Sequence, residues 1–219
     1  MADLTRGDGV LPPAAYARED EAGDAEFYAF PRKVVHIDDG ALAALGRLYA
    51  EVLPAGGRLL DLMSSWRSHL PAGFQASHVV GLGLNGEEMG DNPRLARHVV
   101  HDLNGDPTLP FGDGEFDGAM CAVSIQYVVH PLSIFREVWR VLRPGAPFIV
   151  SFSNRCFPTK AVAVWLHSPD RQHLELVRGY FEATGGWTDL RAEDRSLDGS
   201  GDPLYAVWAH RRLCGKARG

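Results

Sequence analysis

A chain of 219 residues, 45% hydrophobic and 23% charged, has the means to bury one substantial core and suits a single globular domain. Its 22 Lys and Arg against 28 Asp and Glu leave a net charge of -6, which argues against nucleic acid as a partner, because affinity for a phosphate backbone depends on clustered cations. Cys121, Cys156 and Cys214 are too few and too widely spaced for a disulfide framework or a paired zinc site, so no metal is expected and a reducing, cytoplasmic setting suits the chain.

The first 25 residues mix Pro, Gly and acids without periodicity and lack the cationic start and apolar run of a secretory signal. They read as a flexible arm ahead of one domain over 26–213 and a short tail over 214–219. After Asp38 and Asp39, an N-cap pair, Leu42, Leu45, Leu48, Tyr49 and Val52 share one helical face until Pro54 stops the run. Arg58 to Met63 reads as a buried strand and Ser77 to Leu82 as a second, with a loop and a helix between them. His98 to Asp102 makes a third strand and Phe116 to Ser124 a fourth. Gly118 to Phe135 carries no Asp, Glu, Lys or Arg over 18 residues, near the length of a membrane span. Ser124, Gln126, His130 and Pro131 interrupt it, and a buried strand running through a loop into a helix accounts for it without a membrane. Pro131 suits the first position of a helix that carries Ile134, Phe135, Val138, Val141 and Leu142 inward, and Pro147 to Phe152 follows as a fifth strand. Helical spacing returns over Lys160 to His167 and over Arg171 to Thr184. Trp187 to Ala192 and Leu204 to His210 then close the chain in direct succession, as an antiparallel hairpin. The whole pattern predicts an α/β fold: a Rossmann-like, doubly wound, mostly parallel sheet with a C-terminal antiparallel hairpin.

Ligands of such sheets lie beyond the carboxyl ends of the strands, near the point where strand order reverses. The four relevant tips are LDLMSSWRSHLP, GLGLNGEEM, HDLNGDPTLPF and SIQYVVHP. None offers the glycine-rich turn that lets backbone amides approach a pyrophosphate, which argues against NAD or FAD. In SFSNRCFPTKA, Arg155 suits an acidic acceptor as a bidentate fork and Lys160 as a point charge.

The succession LLDL, VVGL, HDLNGDPTLPFGDGEFDGAM, a polar tip and FREVWRVLRPGAPFIVSFS resembles the class I S-adenosylmethionine-dependent methyltransferases. The likeness is to the small-molecule branch called type 11 or UbiE-like, and within it to a subgroup with LDLMSSW-x-SHLP as first motif. It spans Phe27 to Arg211 and rests on LPFGDGEFD and VLRPG occurring together. The resemblance implies S-adenosylmethionine as cofactor and methyl transfer to a small-molecule acceptor. It also implies cofactor contacts from Asp61, Met63, Ser64, Ser65 and Trp66 at the first tip, Gly83, Leu84 and Asn85 at the second, Asp102 and Leu103 at the third, and Ser124 and Gln126 at the fourth.

Two departures from the family pattern shape these expectations. At the glycine positions of its Asp-x-Gly-x-Gly-x-Gly loop this chain has Met63, Ser65 and Arg67, so inexpensive positive-φ geometry is lost. Gly83 stands where the family has the acid that accepts from the ribose hydroxyls, leaving Asn85 to make that contact. Because S-adenosylmethionine carries no phosphate, hydroxyls and amides of Ser64 to Arg67 are expected to hold its amino-acid end, Asp61 to offset its positive charge and Asp102 to meet its adenine. In-line methyl transfer needs orientation above all. Tyr127, His130 and His36 are the candidates beside the reacting methyl, His69 is a further cleft histidine, and Tyr28, Arg32, Asn154 and Arg155 are the candidates for the acceptor. The same residues accommodate a catalyst that binds S-adenosylmethionine without transferring its methyl, or a non-catalytic interaction protein.

Overall fold

The computed structural model describes residues 8–197 and 201–213; the tail over 214–219 lies outside them. Seven strands form one sheet: β1 (Arg58–Leu62), β2 (His78–Gly83), β3 (Arg97–Val100), β4 (Gly118–Ala122), β5 (Pro147–Phe152), β6 (Trp187–Asp194) and β7 (Tyr205–Arg211). Their order is β3-β2-β1-β4-β5-β7-β6. The first five run parallel, and β7 enters antiparallel between β5 and β6. β1 pairs with both β2 and β4, so strand order reverses there and a crevice opens above its carboxyl end.

Both faces of the sheet are covered. The helices are α1 (Asp24–Phe27), α2 (Asp39–Val52), α3 (Gly86–Gly90), α4 (Pro131–Val141), α5 (Ala163–Leu166) and α6 (Asp170–Thr184). Asp38 caps α2 by accepting from the Ala41 amide at 2.9 Å, and Leu45, Leu48 and Tyr49 then pack on Leu59 of β1. Leu60 and Leu62, one pleat away, face Phe135 and Val138 of α4 on the opposite side. Asp61 follows the parity of Leu59. A carboxylate is thereby delivered to the α2 side of an otherwise apolar strand.

Three expectations are corrected. No helix forms between β1 and β2; Pro71 and Gly73 disfavour one, Ser64 offers a local side-chain hydrogen bond that competes with helical pairing, and Asn92 ties down Ser68 from outside the segment. The helix expected from Lys160 shrinks to α5, because Lys160 is drawn out of helical register into contacts with Asp20 and Asp24. Residues 8–25, expected as a flexible arm, pack on the body instead. Tyr16 is 2% exposed within the main core, and Asp24 is 4% exposed among charged partners.

Candidate functional site

The crevice is lined by the tips of β1 to β4 and roofed by the segment leading from α1 to α2. The first tip sets its floor. Met63 takes φ 56°, so the left-handed geometry that glycine makes inexpensive is retained at this family glycine position. His69 (φ 56°) and Val123 (φ 49°) share that region of backbone space. All three line the crevice, and among the described residues only Asp189 (φ 53°) shares this non-glycine geometry elsewhere.

From Met63 the loop crosses the end of β2. The Ser64 amide donates to the Leu82 carbonyl at 2.8 Å. Asn92 then ties the loop from below, donating to the Ser65 carbonyl at 2.8 Å and the Ser68 hydroxyl at 3.0 Å. This crossing explains why an acid is missing from the second tip: a β-carbon on Gly83 would collide with the Ser64 carbonyl oxygen. Gly83→Ala is expected to displace the loop, lower stability by about 1–3 kcal/mol and abolish high-affinity cofactor binding, as read by denaturant unfolding and calorimetric titration.

The serine hydroxyls do not face the ligand space as anticipated. Ser64 donates to Asp61 Oδ2 at 2.7 Å and Ser65 to Glu88 Oε2 at 2.5 Å. The amides of Ser65, Trp66 and Arg67, by contrast, have no hydrogen-bond acceptor among the described residues. Main-chain donors, rather than hydroxyls, are what this loop has left to offer. Trp66 stands in the wall and donates its indole N–H to the Val34 carbonyl at 3.1 Å, which fastens loop to roof.

Asn85 is also committed elsewhere. Its side chain caps α3 by accepting from the Glu88 amide at 3.0 Å and donates to the Tyr28 carbonyl at 2.9 Å, so it is not the free ribose partner expected. Glu88, which the sequence reading missed, lines the crevice at 7% exposure. One carboxylate oxygen accepts from the Arg32 amide and the other from Ser65. The signal was present as Asn85-x-x-Glu88, the spacing of a capping box. Asp102 lines the third tip and accepts from the Asn104 amide at 3.0 Å through one oxygen, an Asx turn that leaves the second oxygen free.

Asp61 is 3% exposed, and burial pushes its carboxyl up to about 6 despite the Ser68 and Ser64 hydrogen bonds that oppose the shift. Tyr127 is held at about 12 by burial and accepts from the Phe157 amide at 2.8 Å. Desolvation lowers His36, and His69 falls to about 4 through burial and the nearby His36 and Arg67 charges. Tyr28, Arg32, Leu84, Leu103 and Ser124 line the same space.

Four expected contacts lie elsewhere. Gln126 is fully buried and donates to the Val123 carbonyl at 2.9 Å. His130, 2% exposed, starts α4 with Nδ1 4.0 Å from Asp8. Asn154 and Arg155 are exposed outside the crevice, Arg155 paired with Asp202 at 2.8 Å. Each follows from the short turn after β4 or β5, which buries or turns away side chains that sequence position alone placed at a tip. Lys160 is wholly buried and spent on Asp20 and Asp24, and so is no acceptor ligand.

Residues 68–150 match the family model described as a methyltransferase domain. A malonyl-[acyl-carrier protein] O-methyltransferase of Marinomonas sp. (strain MWYL1) is 24% identical over 100 residues, covering 46% of this chain and 36% of that protein. The biotin biosynthesis bifunctional protein BioHC of Teredinibacter turnerae is 34% identical over 61 residues, 28% of this chain and 11% of that one. The chain thus spans little more than a third, or about a tenth, of these relatives. Among solved structures, a complex of the Haloferax volcanii Trm112 methyltransferase activator with a methyltransferase superposes with a TM-score of 0.58 at 14% identity, over 80% of this chain and 91% of that one. An S-adenosylmethionine-dependent methyltransferase from Mesorhizobium loti gives 0.52 at 18% identity, over 77% and 98%. The fold is therefore that of the Rossmann-like methyltransferases, and residues 68–150 match a methyltransferase domain.

The crevice fits the cofactor this family implies. A buried carboxylate without a cation beside it, free amides in the loop above, and further carboxylates at the second and third tips match a cationic, phosphate-free nucleoside.

Proposed function

We propose that the protein catalyses S-adenosylmethionine-dependent methyl transfer to a small-molecule acceptor by in-line displacement. The observation that carries this reading is the convergence of Asp61, Glu88 and Asp102 on one crevice from successive strand ends, each acid facing a different part of an extended, positively charged nucleoside. Bound there, the cofactor supplies an electrophilic methyl on a sulfonium. Asp61 lends the compensating charge, the Ser65 to Arg67 amides hold the amino-acid end, Glu88 accepts from the ribose and Asp102 from the adenine amino group. Tyr28, Tyr127 and Phe157 narrow the acceptor side, exclude water and orient the nucleophile. Tyr127, at about 12, stays protonated at neutral pH and positions. His36, neutral there, is the group able to accept a proton when the acceptor needs one.

Calorimetric titration with S-adenosylhomocysteine is expected to show one site, weakened roughly tenfold in Glu88→Gln and in Asp102→Ala, the loss of about one charge-assisted hydrogen bond. Absence of binding at millimolar cofactor would sink the reading. Product mass separates transfer from a non-methylating reaction, since only transfer adds a methylene's mass and releases S-adenosylhomocysteine.

A further inference from the structure

The acceptor side of the crevice contains a cation with no counter-charge. Arg32 lines the cleft, and its backbone is pinned by Glu88. Its guanidinium carbon lies 4.2 Å from the ring centroid of Phe27, 5.8 Å from that of Phe157 and 5.9 Å from that of Tyr28. One nitrogen donates to the Phe27 carbonyl at 2.5 Å. No carboxylate among the described residues comes within ion-pair distance of that guanidinium; Glu88 meets Arg32 through its backbone amide. Four of its five N–H groups are left without a protein acceptor in the described residues.

An arginine boxed by rings is shielded from water on those sides, so an anion meeting it there gains more than it would at an open surface. The planar fork matches a carboxylate bidentately, and the rings give a flat apolar body surfaces to stack on. Resting on the methyltransferase reading above, we propose that the methyl acceptor is an apolar, aryl-type carboxylic acid whose carboxylate is held by Arg32 between Phe27, Tyr28 and Phe157.

The test uses benzoate, with benzamide and benzylamine as neutral and cationic isosteres, titrated into the full chain saturated with S-adenosylhomocysteine. Benzoate is expected to bind at least tenfold tighter than either. Arg32→Gln should erase that preference while leaving S-adenosylhomocysteine affinity within twofold, and Arg32→Lys, which keeps the charge without the fork, should retain an intermediate preference. Benzoate binding no tighter than benzamide overturns the proposal. So does an Arg32→Gln variant that loses S-adenosylhomocysteine as well, because the arginine would then serve the cofactor's own carboxylate. If wild type fails to bind S-adenosylhomocysteine at all, the cofactor reading fails by itself, and the benzoate preference measured on the cofactor-free chain still decides the role of Arg32.

Discussion

Replacing Asp61 by asparagine is expected to make the protein more stable above pH 7 and worse at binding its cofactor. The carboxyl sits at 3% exposure on a strand flanked by Met120 and Gly81, and the hydroxyls of Ser64 and Ser68 only partly compensate for the lost water. Its pKa is raised to about 6 from an ordinary value of 3.8. The folded state therefore holds this proton more tightly than the unfolded chain does. The stabilisation this gives is complete below the unfolded pKa and is lost as pH climbs through about 6. The neutral amide of Asp61→Asn carries no such penalty, and one serine hydroxyl can keep donating to its oxygen while the other turns to accept from its NH2. Unfolding free energies should match near pH 4 and differ by about 1–3 kcal/mol at pH 8, in favour of the variant. A cationic ligand reverses the preference, because it meets the ionised form. Cofactor affinity in wild type should rise with pH through about 6, whereas the variant should bind roughly tenfold more weakly at pH 8 and show a flat profile. A variant less stable than wild type at pH 8, or one with an unchanged pH profile, would remove Asp61 from the site.

Much of this arrangement was legible before any coordinates. Strands β1, β2 and β5 announce themselves as short apolar runs between turn residues, and α2, α4 and α6 as one-faced stripes, because both layers of the sheet bury side chains at fixed periods. That periodicity places Asp61 and Asp102 near strand ends without further information. What escaped are contacts between segments remote in sequence. Nothing local says that Ser65 turns inward to a glutamate 23 residues on, that Asn85 spends its amide on Tyr28, or that Asp24 sinks among cations. Met63 teaches a related lesson. Loss of glycine suggested loss of left-handed geometry, but backbone conformation is imposed here by the crossing over β2, and a methionine tolerates it at a cost of order 1 kcal/mol. Gly83 is the reciprocal case: it is glycine for the sake of its neighbour's backbone, not its own.

The largest loss of stability is expected from Asp24→Ala. Asp24 lies 4% exposed; both its oxygens accept from one Arg18 guanidinium nitrogen at 2.7 and 2.8 Å, one accepts from Asn104 at 2.7 Å, and Lys160 pairs with it at 3.3 Å. The Arg18 side chain is 6% exposed and that of Lys160 not at all. With Asp20, which also pairs with Lys160 at 3.1 Å, and the exposed Glu21, 3.9 Å from Arg18, the group sets three carboxylates against two cations, and Asp24 is the buried one among them. Deleting Asp24 leaves a buried excess of positive charge that neither Arg18 nor Lys160 can carry into water without unpacking residues 8–25. A broken buried pair of this kind costs about 3–5 kcal/mol, which denaturant unfolding should show directly. Lys160→Met in the same chain should soften the loss, so that the double variant is less destabilised than the sum of the two singles by about 0.5–3 kcal/mol. Because α1 leads into Tyr28 and its bond to Asn85, the roof of the crevice should loosen with it, and S-adenosylhomocysteine binding should fall in Asp24→Ala and partly recover in the double variant. Strict additivity, or an Asp24→Ala chain within about 1 kcal/mol of wild type, would show that these charges stand apart and that the roof is held by its apolar contacts alone.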